Sequence, residues 1–180
     1  MSTWQLDLLD IIFNSKFMCL ATATTDGEPW VSPLVYACDE QLRFYWASAH
    51  EARHSSNLSL NARAALAIYD SRQTPNVRIQ GFYAEGTVEE VAAPDLDIAT
   101  RVFYGWRYPV VHVFAEKLRG PKHFMGDSAR RLYRLTPSHT YGLDPAGHPI
   151  WGTKIDMRVA VSIPAAFAER YRRELGEVLK

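Results

Sequence analysis

Apolar positions along the chain change period several times, and each change marks an element. Trp4, Leu8, Leu9, Ile12 and Phe13 recur with helical spacing, and Ser2 followed by Gln5 makes a capping-box pattern, so a short amphipathic helix is predicted up to about Asn14. Phe17 to Ala23 and Trp30 to Tyr36 read as strands joined through Asp26-Gly27, a dipeptide that suits a two-residue hairpin because glycine tolerates positive φ. Pro33 has no N–H to give a ladder, so the second strand is expected to be an edge or to break its pairing there, leaving backbone groups free.

After a polar turn at Asp39-Glu40-Gln41, Leu42, Phe44 and Trp46 alternate as a strand, and a short helix is predicted from about Glu51 to Asn61. Strands follow over Ala65 to Tyr69 and Val77 to Val91. Pro94, Asp95 and Asp97 then open a helix with Leu96, Ala99, Val102, Phe103 and Trp106 on one face. Pro109 breaks it, and a second helical piece covers Val110 to Leu118. Arg131 to Thr136 alternates as a strand, Arg158 to Ile163 suggests another, and Pro164 starts a last helix whose inner face is Phe167, Tyr171, Leu175 and Val178. Strands with helices inserted singly, and no repeat or linker, predict one domain over residues 1–180: a mainly β, antiparallel barrel with peripheral helices.

Charge alters this picture little. Twenty basic residues balance twenty acidic ones, which argues against nucleic acid or an anionic membrane as a partner recognised by bulk electrostatics. Cys19 and Cys38 both sit in apolar runs and are too few for a disulfide framework. Asp7 and Asp10 interrupt the N-terminal apolar residues, and no run approaches the roughly 20 residues of a membrane span, so a soluble, cytoplasmic protein is expected.

His50-Glu51-Ala52-Arg53-His54 matches the H-E-x-x-H pattern of zinc hydrolases, in which two histidines one helical turn apart hold the metal and the glutamate activates its water. That chemistry needs both histidines on one helical face, whereas the strand over Leu42 to Trp46 leaves His50 at or before the helix start. Asn57 and Leu60 also stand where the extended motif has glycine and a third histidine. The zinc reading is therefore the remote alternative, and no metal is expected. The same segment suits an anion, because Arg53, His54, Ser55 and Ser56 occupy the first turns of a helix leaving a strand, where unpaired amides and the helix dipole favour negative charge.

Several features in order are together more specific: Leu20-Ala21-Thr22, Asp26-Gly27, Val31-Ser32-Pro33-Leu34, Phe44-Tyr45-Trp46-Ala47-Ser48, Arg53-His54 with Asn57-Leu58, Ala64 to Asp70, and Gly81 through Glu85-Gly86. In these the chain resembles the pyridoxamine 5'-phosphate oxidase-like family of FMN-binding split β-barrels, from about Phe17 to Val91. The resemblance implies a Greek-key-like antiparallel barrel and a homodimer with FMN at the subunit interface. It implies an oxidoreductase acting on a small molecule, with no catalytic acid or base that can be named. The cofactor would lie along Val31, Ser32, Pro33 and Leu34, the strand end at Trp46, Ala47 and Ser48, and the helix start at Arg53, His54, Ser55 and Asn57, with Arg53 and His54 facing its phosphate.

Two departures matter. The family more often has lysine at the position of His54, which gives this clamp a histidine whose charge depends on pH. Tyr36 stands where the vitamin oxidases carry a substrate-binding lysine, and their helix motif is only partly echoed around Tyr104, Arg107 and Pro109. Efficient oxidation of pyridoxamine or pyridoxine phosphate is therefore not expected. A deazaflavin-dependent reductase and a non-catalytic flavin- or haem-binding module are the alternatives on the same fold. Of the aromatic residues, Tyr45, Trp46, Phe82 and Tyr83 could line the flavin ring, although alternating aromatic residues on strands more commonly fill cores.

Overall fold

The computed structural model describes residues 3–72, 80–152, 155–162 and 164–179. Helix α1 (Thr3–Asn14) is followed by strands β1 (Phe17–Ala23), β2 (Pro29–Val35), β3 (Ala37–Cys38) and β4 (Phe44–Ala49), then by helix α2 (Arg53–Leu60). Strands β5 (Arg63–Tyr69) and β6 (Gly81–Glu90) precede helices α3 (Leu96–Arg107) and α4 (Val111–Lys117). Strands β7 (Arg130–Leu143) and β8 (Arg158–Ala160) and helix α5 (Pro164–Leu175) complete the chain. Ser2 of the capping-box pattern, the predicted strand start at Val77 and the predicted strand end at Ile163 lie outside the described residues.

All eight strands join one antiparallel sheet in the order β2-β1-β5-β6-β7-β4-β3, with β8 on β7. The sheet curls into a half-barrel, the split β-barrel architecture, and β2 at one end of the order comes beside β4 near the other. The residues facing into the curl form the larger core. They include Leu8 and Ile12 of α1, Met18 and Leu20 of β1, and Phe44 and Trp46 of β4. Phe167, Tyr171 and Leu175 of α5 pack on the same core, as their helical spacing requires. A second core lies on the opposite face of β4 and β7, where α3 covers Tyr45 and Leu132 with Leu96, Ala99 and Phe103.

Three expectations are corrected. The β1–β2 turn has three residues rather than two: Thr24 N donates to Glu28 O at 3.0 Å, Gly27 N donates to Thr24 O at 3.1 Å, and Gly27 has φ 92°. This is a type I turn closed by a left-handed glycine, the other hairpin that Asp-Gly serves. Leu42 belongs to the turn before β4, with a left-handed φ of 61°, while its side chain still reaches the core. Strand β7 continues well past Thr136, through a bulge at Ser138 that lies opposite Glu85/Gly86 of β6. A Cβ on Gly86 would lie 2.1 Å from the Thr136 carbonyl oxygen, so only glycine lets the strands meet there.

Strand β2 is an edge, as Pro33 requires; Pro33 pairs with Cys19 of β1 on its one occupied side. The face of β2, β1 and β5 turned away from the core is also apolar and lies open. Val31, Ala21 and Ala65 stand in one cross-strand row, and Pro33, Cys19 and Ala67 in the next. Val31 is 60% exposed, Phe17 57% and Tyr69 51%.

Candidate functional site

The turn after β4 delivers the chain into α2 at the place where β2 approaches β4. Ala52 occupies the N-cap and no side chain caps the helix, although alanine is among the weakest residues for that position. The amides of Arg53, His54 and Ser55 lead the helix, and the first helical bond runs from Ser56 N to Ala52 O at 2.9 Å. This start lies at the surface, with Glu51 and Arg53 exposed.

Arg53 lies over the Trp30 ring, 4.5 Å from its centroid, and a guanidinium nitrogen meets Glu28 Oε1 at 3.0 Å. A leading arginine with uncapped amides behind it is a donor set suited to a phosphate. Glu28 is largely exposed, so an incoming anion could displace it at little cost.

His54 points the other way. It is buried, with Nδ1 3.1 Å from Ser32 Oγ on β2 and Nε2 2.8 Å from Ser48 Oγ on β4. Burial holds its imidazole below the ordinary value of 6.5. Ser32 Oγ also accepts a hydrogen bond from Trp30 Nε1 at 3.0 Å. A polar chain thus runs from Arg53 and Trp30 at the surface to Ser48 inside the barrel.

The remaining predicted residues divide clearly. Val31 and Pro33 lie exposed on β2 and Leu34 is half-buried. Ala47 is half-buried against the second core. Ser55 Oγ donates to the Ala49 carbonyl at 2.8 Å, and Asn57 Nδ2 donates to Thr22 Oγ1 at 3.1 Å, so both tie α2 to the sheet. The Trp46 ring is wholly buried and stacked on Tyr133 at 5.7 Å, with its indole N–H left without an acceptor among the described residues. Of the four aromatic candidates, Tyr45, Trp46 and Phe82 are core, and only Tyr83 reaches the surface.

Tyr36 is buried too, its hydroxyl donating to the Ile12 carbonyl at 2.6 Å. His50 lies exposed in the turn before α2, so it shares no helical face with His54. No three His, Cys, Asp or Glu side chains gather to hold an ion among the described residues. Trp30 and Glu28 were not singled out by the sequence; the spacing of Trp30 and Ser32, two apart on one strand, was the available signal.

No helix among the described residues is long and apolar enough to cross a membrane. No curated protein matches the chain. Among solved structures, it is similar to a haem binding protein from Mycobacterium smegmatis (20% identity, TM-score 0.59), covering 89% of this chain and 58% of that one. The chain therefore spans less than two thirds of that relative. It is also similar to HutZ, the haem storage protein from Vibrio cholerae (17% identity, TM-score 0.54), covering 76% of this chain and 89% of that one. A pyridoxamine 5'-phosphate oxidase-related, FMN-binding protein from Nostoc punctiforme PCC 73102 matches with 15% identity and a TM-score of 0.55, covering 90% of this chain and 98% of that one. At these identities the likeness concerns the fold. The family model described as pyridoxamine 5'-phosphate oxidase matches residues 7–143, most of the length, and the chain belongs to that family.

Proposed function

We propose that the protein is a cytoplasmic, homodimeric FMN-binding oxidoreductase acting on a small molecule, with the flavin phosphate received at the start of α2. The observation that carries this reading is the meeting of an edge strand, the end of β4 and an uncapped helix led by Arg53. Bound FMN would supply a ring that accepts a hydride or electrons. Arg53 and the leading amides would hold the phosphate, while Val31 to Leu34 and Trp46 to Ser48 would flank the cofactor through backbone and small side chains. The open apolar face of β2, β1 and β5 supports the dimer, since such a face is expected to be covered in solution.

Titration of the folded protein with FMN and with a deazaflavin tests the reading, FMN being expected to bind. Failure of both to bind a well-folded dimer would overturn it, and a purified protein carrying a haem spectrum instead would transfer the site to haem. Tyr36, committed to the Ile12 carbonyl, offers no cation to a substrate phosphate. FMN-loaded protein is therefore expected to turn over pyridoxamine phosphate poorly.

A further inference from the structure

The sheet leaves β2 and β4 without a ladder between them, β2 being at one end of the strand order and β4 one place from the other. His54 spans that gap, with one ring nitrogen on each strand. In a neutral ring one nitrogen accepts and the other donates; with Ser32 Oγ accepting the Trp30 N–H, one such arrangement has Ser32 O–H donating to His54 Nδ1 and Nε2–H donating to Ser48 Oγ. With the imidazole neutral, the Trp30 indole N–H, the Ser32 hydroxyl and the His54 N–H each find an acceptor within this chain. An imidazolium would have to donate from Nδ1 as well, turning the Ser32 proton away from its only acceptor in the chain and burying a charge.

Among the described residues no carboxylate is hydrogen-bonded or ion-paired to His54 to compensate. β2 presents Trp30 and Ser32, β4 presents Ser48, and β1 presents Thr22 through Asn57, all uncharged. The charged groups nearby are already matched: Arg53 with Glu28 at 3.0 Å, and Arg131, opposite Ser48 in the β4–β7 register, with Glu90 at 3.1 Å. A lysine here, as the family more often has, could not accept a proton from Ser32 while charged.

We propose that His54 is a positioning residue, a neutral strap that ties β2 to β4 behind the phosphate site and lets go when protonated. The phosphate charge is met by Arg53 and the leading amides, not by His54. The inference rests on the reading of α2 as the FMN site, and it reverses the pH dependence expected of a histidine clamp. A clamp strengthens as acid charges it; a strap weakens.

The test compares wild type with His54→Gln, whose amide offers one donor and one acceptor whatever the pH, and with Ser32→Ala, which removes one anchor. FMN affinity is measured between pH 8 and pH 5. Hydrogen exchange of the β2 amides is followed in the cofactor-free protein after correction for the intrinsic pH dependence of exchange. The second ionisation of the phosphate, near pH 6, affects all variants alike and cancels in the ratio to wild type. Wild type is expected to lose on the order of tenfold in affinity relative to His54→Gln on going to pH 5, about 1.4 kcal/mol, the size of one buried hydrogen bond given up. Its β2 protection should fall over the same range, and Ser32→Ala should lack most of that protection at pH 8. Wild-type affinity that rises in acid relative to His54→Gln, or β2 protection indifferent to pH and to Ser32→Ala, would overturn the strap while leaving FMN binding intact. If FMN fails to bind at any pH but β2 protection behaves as stated, the cofactor reading falls and the strap stands.

Discussion

On the β4–β7 side of the sheet the outward residues Tyr45 and Leu132 are buried by the chain's own α3 and by Phe124. On the β2–β1–β5 side Val31, Ala21, Cys19 and Ala65 are just as apolar, and they are left exposed or half-exposed. Strand patterning does not separate the two faces, because both alternate one apolar residue with another. They differ in where the connections run. The segment between β6 and β7 is long enough to return α3 across one face, whereas among the described residues no helix crosses the other. The open face also carries small side chains at its centre, alanine at the paired positions Ala21 and Ala65. An exposed apolar face of that kind is what a two-fold copy of the chain would cover.

The sharpest test of the contrast is to truncate the covered side. Phe103→Ala removes a buried ring from the second core and should cost about 3–5 kcal/mol of stability by denaturant titration, with the dimer retained. Placing a charge on the open side should do the opposite. Ala65→Arg should leave the monomer folded and weaken self-association by at least ~100-fold, about 2.7 kcal/mol, in sedimentation. A monomeric wild type, or an Ala65→Arg variant that unfolds without dissociating, would break the comparison.

Smaller effects are expected at the border between the faces, where α2 lies. Arg53→Ala should weaken FMN binding by roughly 1.5–3 kcal/mol, the range of a hydrogen bond to a charged group, and leave stability nearly unchanged because Arg53 is exposed. The least marked effect concerns acid. The folded-state value of His54 is depressed below 6.5, so the stability contributed by its neutral form is fully present above pH 6.5. It is lost as the pH falls from there through the folded-state value. The urea midpoint should decline over that window in wild type and less in His54→Gln.

Much of this was readable in advance because it is local. Helices α1, α3 and α5 follow from apolar spacing, and the edge position of β2 follows from the missing N–H of Pro33. The long-range features were less accessible. The alternation of Arg131 to Thr136 does not carry past Pro137, and the glycine that accommodates the strand there, Gly86, sits on another strand. At the candidate site, the position of Arg53 at a helix start was legible from sequence. The task of His54 was not, since its partners lie 22 positions away on β2 and 6 away on β4. Spacing placed His54 among anion ligands; only the curl of the sheet shows that its ring faces inward.

Strand β7 pairs with β6 along one edge, and along the other with β4 and then β8. During synthesis β1, β2, β5 and β6 can pair as soon as they emerge, but β4 has only the two-residue β3 beside it until Arg130 and its followers leave the ribosome. Closing that loop is entropically slow, and the aromatic residues of β4 stay uncovered meanwhile. The nascent chain therefore passes through a stage in which one half of the barrel is assembled and the other half waits, and a ribosome stalled between β6 and β7 would display Tyr45 and Trp46 to chaperones.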